Sequence, residues 1–118
     1  MEYVIVKAKI CNVNRTKCRE IELIADTGAI YTAIPRDILL DLGVKPKGKR
    51  KFKIASGKVK EFEIGEAYIE IDGEGVTTVV AFLPEGSKPL LGITTLELLG
   101  LQVDPVTGEL KPMELLLL

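Results

Sequence analysis

Apolar and polar residues alternate along much of the chain, and this period of two is typical of β-strands with one buried face. Tyr3 to Ile10 and Cys18 to Ala25 show the alternation on either side of a polar turn, which predicts a hairpin. Lys51 to Ala55 and Lys58 to Ile71 flank the turn dipeptide Ser56-Gly57 and predict a second hairpin. Strands therefore dominate the predicted fold.

The second arm of that second hairpin changes phase along its length. Its apolar residues fall at even positions up to Ile64 and at odd positions from Ala67 onward. A change of phase at Gly65-Glu66 is the expected trace of a bulge or a bend. After a turn at 72–75, the nearly continuous apolar run from Val76 to Phe82 predicts a buried strand.

Two short helices are predicted between the strands. The first runs from Pro35 to Gly43, because proline suits the first helical position, apolar residues recur every four positions and glycine commonly ends a helix. The second begins at Thr94, where Thr-Thr-Leu-Glu fits a capping box, and ends at Gly100. Together these patterns predict a mostly-β domain with two short helices.

The composition narrows the possible chemistry. The chain has 118 residues, sixteen Lys and Arg, seventeen Asp and Glu, and a formal net charge of −1, which fits one globular domain over residues 1–118. It has no histidine, which excludes Ser-His-Asp and Cys-His catalysis, histidine-ligated zinc and imidazole acid–base chemistry. Carboxylate, thiol, hydroxyl or lysine chemistry remains, and we expect neither a cofactor nor a metal.

Cys11 and Cys18 are expected opposite each other at the base of the first hairpin. Their spacing matches no metal or redox motif. A cross-strand disulfide is sterically possible there, but free thiols are favoured in a reducing cytosol. No apolar run approaches the ~18 residues that cross a bilayer, and the start of the chain lacks the pattern of a signal peptide. We therefore expect a cytoplasmic protein with no membrane contact.

One acidic residue differs from the others in its surroundings. Asp26 directly follows the apolar run Leu23-Ile24-Ala25 and begins the small-residue turn Thr27-Gly28-Ala29. A carboxylate at the end of a buried strand is destabilised unless backbone N–H groups point at it, and glycine permits that close approach. Such a carboxylate is a candidate for catalysis, although an Asp-Thr-Gly turn also serves as ordinary loop structure.

The segment from Leu23 to Ala29 resembles the active-site signature of aspartic proteases, in their retroviral-type (retropepsin-like) family and its single-domain cellular branch. Three further features follow in that family's order: the hairpin tipped by Ser56-Gly57 in the place of the flap, the apolar-apolar-Gly element at Leu90 to Gly92, and a helix directly after it. The resemblance implies a closed, barrel-like β fold, the acid protease (retropepsin) fold, with one catalytic Asp per chain.

The resemblance also implies a role for each matching residue. It assigns catalysis to Asp26. The rest of the active-site loop would brace the site and meet the substrate backbone: Thr27, Gly28 and Ala29. A flap would close over an extended polypeptide substrate through three residues: Ala55, Ser56 and Gly57. Three residues would support the catalytic loop: Leu90, Leu91 and Gly92.

The number of catalytic carboxylates per chain sets the expected stoichiometry. Aspartic proteolysis uses two carboxylates that share one proton, one acting as a base toward water and the other as an acid toward the scissile carbonyl. The chain has one Asp-Thr-Gly. Two other aspartates do not fit the motif, since Asp72 is not followed by a hydroxyl residue and Asp104 is followed by a proline. The predicted active species is a homodimer in which two copies of Asp26 meet on the twofold axis. The alternative is a catalytically inactive member of the fold that binds peptides or a partner in the same cleft.

Basic residues concentrate in one segment. Eight of the sixteen cationic residues lie between Lys45 and Lys60, where no acidic residue occurs. Such a patch can bind nucleic acid nonspecifically. The segment has one aromatic residue, Phe52, and alternates as a solvated strand does, so nucleic-acid binding is disfavoured. A basic flap could instead bias the cleft toward acidic substrates.

Two positions depart from the pattern of the viral members. Ile30 and Ile93 stand where viral members commonly carry an Asp and an Arg, so both partners of that ion pair are absent together.

The sequence ends in four leucines, Leu115 to Leu118. They are expected to be buried, either in a sheet between two subunits or as a plug of the chain's own core.

Overall fold

The computed structural model describes residues 4–118, so the predicted start of the first strand at Tyr3 lies outside the described residues. Within them the chain forms nine strands and two helices. The strands are β1 (Ile5–Cys11), β2 (Cys18–Asp26), β3 (Thr32–Pro35), β4 (Gly48–Lys53), β5 (Val59–Ile71), β6 (Glu74–Leu83), β7 (Leu90–Gly92), β8 (Leu101–Val103) and β9 (Leu110–Pro112). The helices are α1 (Arg36–Asp41) and α2 (Ile93–Leu98).

Six of the strands in residues 4–118 close into a barrel. Hydrogen-bonded neighbours follow the order β1-β2-β7-β3-β6-β5, and β1 also pairs with β5, which completes the circle. β4 extends the sheet beside β5, while β8 pairs with β9 in a separate sheet. The predicted mostly-β, closed barrel-like fold with two short helices is confirmed.

The alternation in the sequence matches the burial of the strands. In β1, Val6, Ala8 and Ile10 are buried while Lys7 and Lys9 are exposed. The core also takes side chains from both helices. Its largest fully buried aliphatic residues are Ile10, Leu23, Ile34, Leu39, Ile69, Val80, Leu91 and Leu96. Truncating one of these leucines or isoleucines to alanine would lower the free energy of unfolding by about 2–5 kcal/mol.

The change of phase in β5 marks a change of strand partner. Its first half pairs with β4 up to Ile64, and its second half pairs with β1 from Tyr68 onward. Its register with β6 runs without an inserted residue, so a bulge in that pair is excluded. At Gly65 a Cβ atom would lie 2.7 Å from the carbonyl oxygen of Lys45, and glycine is therefore the residue that fits where β5 changes partner.

The first helix is shorter than predicted. It begins at Arg36 because Pro35 still belongs to β3, where it pairs with Leu83 of β6 and keeps an extended ψ of 136°. Gly43 follows the helix with a φ of +86°, as expected for a residue that ends a helix.

The predicted capping box of the second helix is wrong. The cap position is Gly92 rather than Thr94, and it makes no side-chain capping bond. The reason is that the N–H groups of Ile93 and Thr94 donate to the carbonyl oxygens of Ala29 and Ile30, at 2.8 and 3.1 Å. A distant loop satisfies the helix start, so Thr94 lies inside the helix.

Cys11 and Cys18 form a disulfide, which corrects the expectation of free thiols. The two residues are directly opposite in the β1–β2 register, with Cα atoms 4.1 Å apart. The hairpin register itself therefore brings the two side chains together.

The C-terminal tail is exposed. Leu115 exposes 55% of its surface and Leu116 exposes 95%, with Leu117 and Leu118 equally open. The alternative in which these leucines plug the chain's own core is wrong, because Leu116 to Leu118 are almost fully exposed and Leu115 is only about half covered. The alternative of a sheet between two subunits stays a prediction. Within residues 4–118, neither helix has the length and apolar character needed to cross a membrane.

Candidate active site

Asp26 lies at the end of β2, where that strand pairs in parallel with β7. The register aligns Ala25 with Leu91 and Asp26 with Gly92. Leu23 of β2 and Leu91 of β7 are fully buried, so the strand pair is anchored in the core just before it reaches Asp26. Asp26 itself is partly buried. The core thus fixes the position of a carboxylate at the barrel surface.

The turn after Asp26 wraps around its carboxylate. The N–H of Gly28 donates to Oδ1 of Asp26 at 2.9 Å, and the N–H of Ala29 donates to its carbonyl oxygen at 3.1 Å. A Cβ atom on Gly28 would lie 3.2 Å from that Oδ1, closer than an ordinary contact. Glycine therefore allows the N–H to approach the carboxylate. Thr27 is exposed at the tip of this turn.

Gly92 supports the loop by close backbone packing. A Cβ atom there would lie 2.3 Å from the carbonyl carbon of Tyr31. Leu91 and Gly92 are buried, whereas Leu90 is partly exposed and lines the cleft described below. Of the three predicted supporting residues, two thus lie behind the loop and one reaches the surface beside it.

A buried pair of threonines connects the strand that follows the Asp26 loop to the second helix. The Oγ1 atoms of Thr32 and Thr95 are 2.7 Å apart, and both residues are fully buried. Oγ1 of Thr32 also accepts the N–H of Gly92 at 3.0 Å. The pair therefore links β3, β7 and α2, which surround the loop after Asp26. The sequence analysis did not identify it. The available signal was a threonine embedded in an apolar segment, Thr32 before Ala33-Ile34.

The predicted flap residues form the exposed tip of the β4–β5 hairpin. The N–H of Ile54 donates to the carbonyl of Lys58 at 2.9 Å, and the N–H of Gly57 donates to the carbonyl of Ile54 at 2.8 Å. Gly57 adopts a φ of +86°, which favours glycine. Ala55, Ser56 and Gly57 are all exposed.

The hairpin of the predicted flap contacts the loop after Asp26 through aromatic residues below its tip. The rings of Phe52 and Tyr31 meet edge to face, with centroids 5.6 Å apart. Phe62 lies beside Phe52 at 6.0 Å. Tyr31 follows the Asp26 turn by a few residues, so this contact sets the side from which the hairpin approaches the site.

A cleft of about 810 Å³ opens beside the candidate catalytic carboxylate. Asp26 and Thr27 form part of its wall together with Leu90, while the turn between β8 and β9 faces them with Asp104. Ala55, Ser56 and Gly57 do not line this cleft.

Asp104 is a second carboxylate in the cleft that the sequence analysis left without a role. The backbone N–H of Val106 donates to its Oδ1 at 2.9 Å and holds the pKa of Asp104 below its ordinary value, with burial opposing and Lys111 assisting that shift. The ammonium of Lys111 lies 3.6 Å from Oδ2. Asp104 is thus engaged in stabilising its own turn.

Comparison with known sequences assigns the chain to a family. The aspartyl protease family model matches residues 6–105, most of the chain. The protein therefore belongs to the aspartyl protease family, and the family resemblance predicted from Leu23 to Ala29 is confirmed. β9 and the leucine tail lie beyond the matched range. No curated protein matches the sequence.

Comparison with solved structures defines the kind of fold within that class. The simian foamy virus (mac) protease is similar at 21% identity and a TM-score of 0.55, covering 78% of this chain and 90% of that one. The EIAV protease complexed with the inhibitor HBY-793 is similar at 24% identity and a TM-score of 0.56, covering 84% and 89%. A retropepsin-like aspartic protease from Rickettsia conorii is similar at 21% identity and a TM-score of 0.55, covering 87% and 85%. The fold is retropepsin-like.

Proposed function

We propose that the protein is a homodimeric aspartic endopeptidase in which Asp26 of each subunit supplies one of two catalytic carboxylates. The observation that carries the proposal is the position of Asp26, on the wall of an open cleft with its carboxylate held by the N–H of Gly28. Membership of the aspartyl protease family supports hydrolysis of peptide bonds as the reaction.

The need for a second subunit follows from the carboxylates in the cleft. Among the described residues that line it, the other carboxylate is Asp104, which already accepts the N–H of Val106 and pairs with Lys111. A group held in that way is a poor partner for a shared proton. A second copy of Asp26 supplies an equivalent carboxylate that, unlike Asp104, forms no ion pair among the described residues, and it meets the two-carboxylate requirement of the reaction.

In the proposed reaction the two Asp26 carboxylates share one proton and hold a water molecule between them. The ionised carboxylate removes a proton from the water, the water oxygen attacks the scissile carbonyl carbon, and the protonated carboxyl transfers its proton to the carbonyl oxygen, which gives a gem-diol. The leaving nitrogen then takes a proton from the pair, the C–N bond breaks, and one hydroxyl of the gem-diol returns its proton to the pair as the new carboxyl group forms. The pair again holds one proton, and no acyl-enzyme forms.

The remaining site residues are proposed to position this chemistry. Thr27, at the exposed tip of the turn, would brace the two catalytic loops across the dimer axis. The backbone of Gly28 and Ala29 would pair with an extended polypeptide on one side, and the flap tip around Ser56 would cover it on the other. Closure of the flap would exclude water from the site.

Mixing wild-type protein with Asp26→Asn tests the dimer directly. With the wild-type concentration held constant, an equal amount of the variant should reduce peptide hydrolysis to about half, because random exchange of subunits leaves half of the wild-type chains in mixed dimers. A threefold excess should reduce it to about one quarter. Unchanged activity would show that each chain works alone, and persistent hydrolysis by Asp26→Asn alone would contradict the mechanism.

Two aspartates provide matched controls for the same change of charge. Asp72 lies in the β5–β6 hairpin turn with a φ of +51°, a conformation that asparagine also tolerates. Asp72→Asn should therefore retain hydrolysis. Asp104→Asn should also retain it at neutral pH, and a loss equal to that of Asp26→Asn would point to a pair within one chain. A wild-type protein that binds extended peptides but cleaves none would support the inactive binding module instead.

A further inference from the structure

The strand register divides the flap hairpin into two faces of different charge. Opposed residues of an antiparallel pair lie on the same face, and successive residues alternate between faces. Lys49 is opposite Glu63 and Lys51 is opposite Glu61. We call these four residues the Glu61 face. In each of these two strand pairs a cation is opposite an anion, although the ion pair that Glu63 forms is with Arg36.

The other face carries cations and aromatic rings without any carboxylate. Arg50 is opposite Phe62, and Phe52 is opposite Lys60. We call these four residues the Tyr31 face, because Phe52 packs against the ring of Tyr31. With Lys53 opposite Val59, the Glu61 face carries three cations and two anions, whereas the Tyr31 face carries two cations and no anion.

The Tyr31 face is the one that contacts the loop after Asp26. Tyr31 packs its backbone on Gly92, and Gly92 is the strand partner of Asp26. The contact between Phe52 and Tyr31 thus joins this face to the loop that carries the catalytic carboxylate. The Glu61 face points the opposite way.

The cations of the Tyr31 face are exposed and have no anionic partner. The ion pairs of the hairpin region within residues 4–118 join Lys47 to Glu66 and Arg36 to Glu63. Neither Arg50 nor Lys60 takes part in an ion pair among the described residues. Both are exposed.

We propose that the Tyr31 face selects substrates with an acidic side chain, Asp or Glu, two to four residues from the scissile bond. The proposal rests on the proposed peptidase function and names its substrate class. Arg50 and Lys60 supply the charge. The ring of Phe52 between them supplies an apolar surface for the methylene groups of the same side chain or for a neighbouring residue.

The length of the hairpin sets the expected distance from the scissile bond. At about 3.3 Å per residue, the Phe52–Lys60 pair lies about 7 Å from the Ile54–Lys58 pair that closes the tip, and the Arg50–Phe62 pair lies about 13 Å from it. The substrate is an extended chain with a similar rise per residue. With the tip over the scissile bond, the acidic side chain should stand two to four residues from it.

The first measurement locates the preferred position. A mixture of synthetic peptides of random sequence is incubated with wild-type protein, and the cleavage products are sequenced by mass spectrometry. Asp and Glu should be enriched at two to four residues on at least one side of the cut. No enrichment at any position would overturn the proposal.

The second measurement compares two peptides that differ only by Glu or Gln at the enriched position. The kcat/KM ratio should favour the Glu peptide by about two- to fivefold, the range of one exposed ion pair. Lys60→Gln and Arg50→Gln should each bring this ratio closer to one, and high salt should do the same. Lys51→Gln, on the Glu61 face of the same hairpin, is the matched control and should keep the wild-type ratio.

Failure of this proposal is distinguishable from failure of the peptidase proposal. Hydrolysis of both peptides at equal kcat/KM, lost in Asp26→Asn, would establish the peptidase and overturn the acidic selectivity. If neither peptide is hydrolysed, the peptidase proposal fails, and binding of the same two fluorescently labelled peptides decides the selectivity. Equal affinities would then overturn it.

An oligonucleotide provides the test against a general polyanion surface. Displacement of the bound Glu peptide by a single-stranded oligonucleotide, weakened as much by Lys51→Gln as by Lys60→Gln, would show that both faces act as one nonspecific basic patch. That result would overturn the proposal. Displacement that depends on Lys60 alone would support a site on the Tyr31 face.

Discussion

Replacing Thr32 with valine tests whether the buried hydroxyl pair holds the candidate catalytic loop after Asp26. In Thr32→Val the hydroxyl of Thr95 loses its partner and the N–H of Gly92 loses its acceptor, with little change in side-chain volume. Both threonines are fully buried, so water does not replace the lost bonds. At about 1–3 kcal/mol for each of the two buried polar groups left unpaired, the free energy of unfolding should fall by about 2–6 kcal/mol.

Thr95→Val is the matched comparison. It removes one partner of Thr32, whose Oγ1 still accepts the N–H of Gly92, so the expected loss is smaller, about 1–2 kcal/mol. In the double variant the N–H of Gly92 is the one group of this network left unpaired. Its loss should therefore be smaller than the sum of the two single losses.

Urea unfolding at one fixed protein concentration measures these differences, because subunit association would otherwise change the apparent stability. Thr94→Val, at a partly exposed position in the same helix, is the control and should change stability little. Peptide hydrolysis should fall more in Thr32→Val than in this control. Equal losses in the two single variants, or an additive double variant, would refute the argument that Thr32 holds Gly92 in place.

Three further changes have defined outcomes. Gly92→Ala places a Cβ 2.3 Å from the backbone of Tyr31, so thermal unfolding should show a severe loss of stability or no folded protein. Because the pKa of Asp104 is lowered in the folded protein, its contribution to stability is complete above the ordinary pKa of 3.8 and is lost as the pH falls through the lower folded value. Asp104→Asn should therefore have a lower Tm than wild type at pH 7, and the two Tm values should converge in strong acid. Replacing Cys11 and Cys18 with serine should lower the free energy of urea unfolding by about 2 kcal/mol, the loop-closure value for so short a loop.

The strands could be predicted because one buried face imposes a period of two on each of them. That period reports which residues face the core and says nothing about which strand lies alongside. The sequence therefore showed a change of phase at Gly65, but it did not show that β5 changes its partner there from β4 to β1. The cap of α2 was mispredicted for a similar reason, because the carbonyls of Ala29 and Ile30 that satisfy it are distant in sequence.

The loop after Asp26 could be predicted as a candidate site because its determinants are local. Asp26, its hydroxyl neighbour and Gly28 are consecutive, and the Gly28 N–H bond to the carboxylate spans two residues. The Thr32–Thr95 pair joins residues 63 positions apart, and each threonine alone is unremarkable in a strand or a helix. Contacts between residues that are far apart in sequence can be identified only from the folded structure.

β4 ends the sheet, with β5 as its one neighbour in residues 4–118, so the backbone groups along its other edge are free to pair with another chain. Open edges of this kind promote aggregation, and natural sheets often protect them with lysine. Four of the six residues of β4 are cationic: Lys49, Arg50, Lys51 and Lys53. Mutual repulsion between such edges would keep concentrated protein dispersed. Variants that neutralise several of these charges to change selectivity should therefore become prone to precipitation.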